Sequence, residues 1–328
     1  MEHNIRFYLF LGILAMAGAP LWGQQPAQYS MYMLNKYNYN TAYAGLDGSL
    51  SATGVFRKQW VSFAGSPLTF QANVHLPIPY LRSGVGVGLE HDRIGAEVQT
   101  RVRASYNYIF SLGGGQLSVG VAGNYLQKTL DGSLLRTPEG NYEGGTNNHN
   151  DALLGNERAI GATFTAEAGV YYKHKRFELG VSAINIQEPV ASLTTGAFVQ
   201  EIRYRRAMFV QAQYDFQITD DIILQPSTLI KIDFTKVQAE LAVLLKYKNQ
   251  FFGGLGYRGY DGRSQDALFL LAGMQINKNM LLAYSYDISL GALRTYNSGS
   301  HEVVFNYNLQ KLLGKEIPQK IIYNPRFL

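Results

Sequence analysis

From Ser49 onward, hydrophobic and polar positions alternate along the chain with a period of two. Between Met280 and Leu290 one parity carries Met280, Leu282, Tyr284, Tyr286, Ile288 and Leu290, and the other carries Leu281, Ala283, Ser285, Asp287 and Ser289. Successive side chains of a strand point to opposite faces, so one face is apolar and aromatic and the other small and polar; a helix would stripe differently. The same alternation sets Val303, Phe305, Tyr307 and Leu309 against Glu302, Val304, Asn306 and Asn308. It sets Val102, Ala104, Tyr106, Tyr108 and Phe110 against Arg101, Arg103, Ser105 and Asn107, and Leu117, Val119, Val121 and Tyr125 against Gln116, Ser118, Gly120 and Asn124. The pattern is noisier near Leu224 to Ile232, where Pro226 interrupts.

Fourteen such segments follow one another: 49–60, 66–77, 83–92, 97–112, 115–128, 160–173, 176–187, 202–217, 221–233, 236–248, 250–260, 266–276, 279–290 and 299–312. Their connections sort by parity. One set is tight, as at 113–115, 173–176, 219–220, 248–249 and 277–278, with 78–82 somewhat longer. The other set holds the longest loops, 130–159, 187–201 and 291–298, with 233–236 a tight exception. Short periplasmic turns and long extracellular loops are the asymmetry of a bacterial outer-membrane barrel, whereas a soluble sandwich has no reason to sort its loops. Apolar faces on so many strands would form one large exposed patch in water. In lipid, an open sheet edge leaves unpaired backbone groups, so the sheet must close. The expected fold is therefore all-β, a transmembrane antiparallel β-barrel of about 14 strands. So wide a lumen must be wet, plugged or occupied.

Ahead of the barrel, Arg6, the apolar run 7–19 and the small Gly23 read as a secretory signal peptide over 1–23, too short and too Pro-interrupted for a spanning helix. This divides the 328 residues into a signal (1–23), a non-periodic segment (24–48), an outer-membrane barrel (49–312) and a periplasmic C-terminal tail (313–328). The composition fits: 34 Gly, 23 Tyr and 17 Phe with only 16% charged residues suit strands, turns and aromatic girdles. The chain has no Cys, which excludes disulfides, thiolate metal sites and a lipidated N-terminal Cys. A net charge of +5 spread over this length is no nucleic-acid footprint.

Candidate chemistry is sparse. Beyond the signal the histidines are His75, His91, His149, His174 and His301, with no ligand spacing, and no metal, cofactor or catalytic residue is expected. Gly84, Gly86 and Gly88 continue as strand instead of opening a helix, so they read as lumen-face glycines and not as a nucleotide loop. The loop around 129–159 carries Glu139, Glu143, Asn147, Asn148, Asn150 and Asp151, oxygen-rich but without calcium-ligand spacing. Without a nucleophile motif, a lipid-active enzyme is disfavoured. Parity places Glu90, Arg101, Arg103, Glu167, Arg203, Arg205, Lys231, Glu240 and Glu302 on the inner face, toward the outer half of the barrel. Such mixed charge braces a wet lumen wall or selects a solute.

The segment 24–45, QQPAQYSMYMLNKYNYNTAYAG, carries a resemblance. Gln28, Tyr29, Ser30, Tyr32, Met33 and Asn35, followed by Asn40, Ala42, Tyr43, Ala44 and Gly45, resemble the N-terminal signature of the PorP/SprF family of type IX secretion system membrane proteins. The closing Asn324-Pro325-Arg326-Phe327 also looks like that family's tail. The chain departs from the pattern at Gln25-Pro26-Ala27, where the family has Asp-Pro, and at Asn40-Thr41, where it has Asn-Pro; the lost proline frees φ before Ala42. The resemblance implies an outer-membrane component of the type IX machinery that supports export or surface retention of large adhesins. The implied partners are the adhesin's C-terminal sorting domain, other secretion components and outer-membrane lipid, with no cofactor. The competing expectation is a transport barrel for a small hydrophobic or anionic solute using the inward arginines. The segment itself is too polar to span lipid and too aromatic for a plain linker. It is expected to fold back along the periplasmic mouth or into the lumen, the alternative being an unordered leader.

Overall fold

The computed structural model describes residues 26–143, 146–151, 154–195, 198–233, 236–259 and 265–311. The expected signal peptide and C-terminal tail lie outside these residues. Period-two alternation becomes strand throughout. The first half of the wall is β1 (Ser51–Lys58), β2 (Leu68–Ile78), β3 (Ser83–Ile94), β4 (Glu97–Leu112), β5 (Gly115–Asp131), β6 (Arg158–Lys173) and β7 (Phe177–Ile184). Then come β8 (Val190–Thr195), β9 (Phe198–Arg203), β10 (Ala207–Tyr214) and β11 (Phe216–Gln217). The wall finishes with β12 (Ile222–Ile232), β13 (Val237–Tyr247), β14 (Phe251–Gly259), β15 (Gln265–Gln275), β16 (Met280–Ser289) and β17 (Ser300–Asn308).

All pair antiparallel in one sheet, and β17 returns to β1 in register from Ser51↔Asn308 to Lys58↔His301, which closes the barrel. Strands β7 and β8 form one stave, and β9 to β11 the next, so the wall has fourteen staves. Closure pairs the edge backbone groups that lipid could not solvate. Among the described residues no helix is long and apolar enough to cross a membrane. The crossing is made by strands.

The two faces separate as the alternation requires. Val102, Tyr106, Val121, Leu241, Leu270, Tyr284 and Phe305 stand exposed on the outside, while Asn107, Ser118, Asn124, Glu240, Ser285 and Glu302 are buried inside. An apolar outer band suits lipid. At the tight Lys248-Asn249 turn both residues take positive φ (52° and 51°), the paired left-handed geometry that matches strand twist.

One connection differs from expectation. The segment 187–201 is not a loop, because β8 and β9 pair from Val190↔Arg203 to Thr195↔Phe198 and prolong the wall outward as a hairpin. The underside of that hairpin, Ala191, Leu193 and Ile202, packs on Leu126 of β5.

Candidate functional site

The lumen is filled by the chain's own N-terminal segment. At its outer end Pro26 lies among Ala207, Phe209, Lys231, Ile232 and Lys236, at the level of the β12–β13 connection. At its inner end Lys173, beside the β6–β7 turn, donates to the Leu46 carbonyl (3.0 Å). The segment thus descends from the long-loop mouth to the short-turn mouth before entering β1. It does so through three single 3-10 turns, Tyr32–Leu34, Lys36–Asn38 and Thr41–Tyr43. No helix or strand forms, because Tyr, Asn and Gly at irregular spacing offer neither an apolar stripe nor an alternation.

The wall and segment are cut to fit each other. A Cβ on Gly84 would collide with the Ala44 carbonyl, and one on Gly120 would lie 2.8 Å from the Ala42 Cα. Gly86 likewise leaves room for the Tyr37 ring. Apolar wall residues Val55, Phe209, Leu229, Leu244, Phe269 and Val304 form a cluster with Tyr29, Met31, Met33 and Tyr39 of the segment. Burying that surface holds the segment without directional bonds. Tyr39 bridges Tyr29 and Phe209 through two edge-to-face contacts, at 6.5 Å and 5.5 Å between ring centroids.

Ser30 sits at the centre of a charge cluster. Its hydroxyl donates to the Asp287 carboxylate (2.7 Å) and accepts from Arg57 (3.0 Å) and Arg258 (2.8 Å). Its N–H and that of Met31 donate to Glu302 (2.7 and 3.0 Å). Arg57 also pairs with Asp287 (2.8 Å) and Glu302 (2.9 Å), and Arg258 with Glu240 (3.2 Å), which in turn holds Lys231 (2.6 Å). Buried charges persist only when paired and hydrogen-bonded, and here the segment supplies part of the bonding.

A second cluster grips the middle of the segment. Arg103 pairs with Glu167 (3.1 Å) and donates to the carbonyls of Tyr37 (3.1 Å) and Asn38 (3.0 Å). Arg101 lies 4.0 Å from the same Glu167, and Glu90 accepts from the Tyr29 hydroxyl (2.8 Å). Asn40 donates to the Val170 and Val181 carbonyls (3.0 and 3.1 Å) and caps the following turn by accepting from Ala42 N–H (3.0 Å). That cap fixes the path through Asn40-Thr41.

The other signature positions are equally engaged. Tyr32 bonds Ser227 (3.1 Å), and Asn35 exchanges bonds with Gln71 (2.7 Å) and Asn73 (2.8 Å). Gly45 N–H donates to His75 (3.2 Å), Tyr43 donates to Asp47 (2.7 Å), and Gln28 is half-buried. Burial raises the Asp47 carboxyl, but His75, Lys173 and the Tyr43 hydroxyl together hold it below the ordinary carboxylate range. Beside it a cavity of about 240 Å³ remains at the short-turn mouth, lined by Asn35, Tyr37, Asp47, Thr53, His75 and Asn306.

Of the charges assigned inward by parity, Glu90, Arg101, Arg103, Glu167, Lys231, Glu240 and Glu302 line the lumen. Arg203 and Arg205 do not. Both are exposed, because Ile202 and Tyr204 turn inward and the alternation slips by one residue before Ala207. Arg57, Arg258 and Asp287 are central to the site but escaped selection as charges; each shares the inward parity of its neighbours Val55, Gly256 and Ser285. The loop after β5 is stitched by its own bonds, with Arg136 stacked 4.4 Å over Tyr142, which bonds Thr137 and His149. Among the described residues no group of His, Asp and Glu could hold a metal ion.

The chain is similar in shape to solved outer-membrane barrels. The toluene transporter TbuX of Ralstonia pickettii shares 10% identity at a TM-score of 0.48, with 85% of this chain and 93% of that one covered. Omp33 of Acinetobacter baumannii shares 8% at 0.43, covering 79% and 97%, and a Pseudomonas aeruginosa FadL homologue shares 12% at 0.39, covering 79% and 89%. No curated protein sequence matches. The family model described as type IX secretion system membrane protein PorP/SprF matches residues 22–307, a span that includes the whole lumen segment and nearly all the wall. The chain therefore belongs to the PorP/SprF family of type IX secretion system membrane proteins and resides in the outer membrane.

Proposed function

We propose that this protein supports export and surface anchoring of large adhesins by binding their C-terminal sorting domain at the extracellular mouth. The observation that carries the reading is the filled lumen of a type IX family barrel: the wall's charges are spent on the chain's own segment, not on a vacant path. The rigid scaffold presents the β5–β6 loop, already ordered by Arg136 and Tyr142, and the β8–β9 hairpin. Binding surfaces concentrate on loops held by such scaffolds. Other type IX components complete the assembly.

A transport barrel for an anionic solute is less well supported, since Arg103 is already paired with Glu167 and Arg57 with Asp287 and Glu302. The deciding experiment immobilises the intact protein and offers C-terminal sorting domains of secreted adhesins. Saturable capture that is lost when the β8–β9 hairpin is shortened supports the reading. Solute-dependent current block with no sorting-domain capture overturns it.

A further inference from the structure

The wall holds the segment by its main chain as well as by its side chains. Glu302 accepts from the N–H groups of Ser30 and Met31, and His75 accepts from that of Gly45. Arg103 donates to the carbonyls of Tyr37 and Asn38, and Ser182 to that of Tyr39 (2.6 Å). Asn107 donates to the carbonyls of Ala42 (2.7 Å) and Ala44 (2.9 Å), and Lys173 to that of Leu46. These groups come from β17, β2, β4, β6 and β7, one side of the wall, while Ser227 of β12, Arg258 of β14 and Asp287 of β16 meet the segment's side chains from the other. None belongs to a β ladder, and the barrel closes without the segment through the β1–β17 register. Side-chain specificity begins at Tyr29, Ser30 and Tyr32, each meeting a buried polar partner, and continues through Asn35 with Gln71 and Asn73, Lys36 with Glu178 and Tyr37 with Ser105.

That is the relation of a ligand to a preformed site. We infer that the lumen is a binding site for an extended polypeptide, occupied in cis by residues 26–46, and that it accepts in trans a peptide of the same chemistry. The ligand class is a non-helical segment with a Ser beside Tyr at its leading end and free main-chain groups behind. The two ends of the segment lie near the two mouths: Pro26 is half-buried at the outer one, and the cavity of about 240 Å³ borders the inner one. The covalent tie to β1 passes through Gly48, which is exposed and has open space around it. While the tie is intact, an effective concentration of about millimolar keeps a trans peptide out. The inference goes beyond cargo anchoring, because its site is the lumen and not the extracellular loops.

The test inserts a protease site after Gly48 in the full chain and cleaves the folded protein. A fluorescent peptide of residues 26–46 is then added. The expected result is a barrel that stays folded, with the peptide displacing the cleaved segment saturably. A Ser30→Ala peptide should bind about thirtyfold more weakly, the loss expected from one charge-assisted hydrogen-bond set. A scrambled peptide of the same composition should not exchange, and the uncleaved protein should bind none. Unfolding on cleavage, no exchange at any peptide concentration, or equal exchange of the scrambled peptide would overturn the inference. Sorting-domain capture by the uncleaved protein is read separately, so failure of one reading is distinguishable from failure of the other.

Discussion

The Ser30 hydroxyl lies 2.7 Å from the Asp287 carboxylate, although 257 residues separate the two in the chain. This contact ties the outer part of the lumen segment to the wall stave that nearly completes the barrel. Arg57 and Arg258 meet at the same hydroxyl, so one small side chain touches a buried acid and two buried bases. Replacing it by Ala should weaken seating of the segment by about 2 kcal/mol, the scale of hydrogen bonds to charged groups. Faster hydrogen exchange at residues 29–33, with unchanged exchange in β4 and β5, is the expected readout.

Filling the relief in the wall should displace the segment without opening the barrel. Gly84→Leu and Gly120→Val each put a side chain where Ala44 or Ala42 now lies. The strand signal in circular dichroism should persist, and protease cleavage near Tyr43 should appear where the parent chain resists. Resistance equal to the parent's would mean that the segment does not pass these glycines.

Arg103 and Arg203 should behave oppositely on truncation. Arg103→Ala strands Glu167 and two carbonyls in a buried site and should destabilise by about 3–5 kcal/mol. Arg203→Ala removes an exposed side chain and should change stability by less than about 0.5 kcal/mol. Urea unfolding in detergent measures both.

These contrasts show what was legible in the residues. Alternation alone places Arg103 and Glu302 inside and Val102 and Val303 outside, because a half-buried strand has only two faces. The same logic fails at Arg203 and Arg205, where the backbone between Tyr204 and Arg206 leaves the strand and the parity slips. The β8–β9 hairpin was hidden because its strands are short and Pro189 breaks the run before them. For residues 26–48 the composition pointed to the mouth or the lumen, but apart from the Asn40 cap the route itself has no local signal. It is fixed by distant partners, such as Asp287 for Ser30 and Asn107 for Ala44, which no periodicity can pair.

Acid should loosen the inner end of the segment. Asp47 titrates below its ordinary value of 3.8 in the folded protein. A depressed carboxylate contributes stability that is present above the unfolded value and lost as pH falls through the folded one. Lowering pH from about 6 to about 3 should therefore accelerate hydrogen exchange at residues 43–48 beyond the intrinsic trend, and Asp47→Asn should be already loosened at the higher pH and insensitive to the change. Equal acid sensitivity in the Asn variant would assign the effect elsewhere.

The most direct test of the central claim, that this barrel is closed by its own N-terminal segment, is conductance in a planar lipid bilayer. The intact protein should pass little current, and removal of residues 26–40 should leave a folded barrel with steady open-channel conductance. Identical conductance of the two proteins would contradict the account.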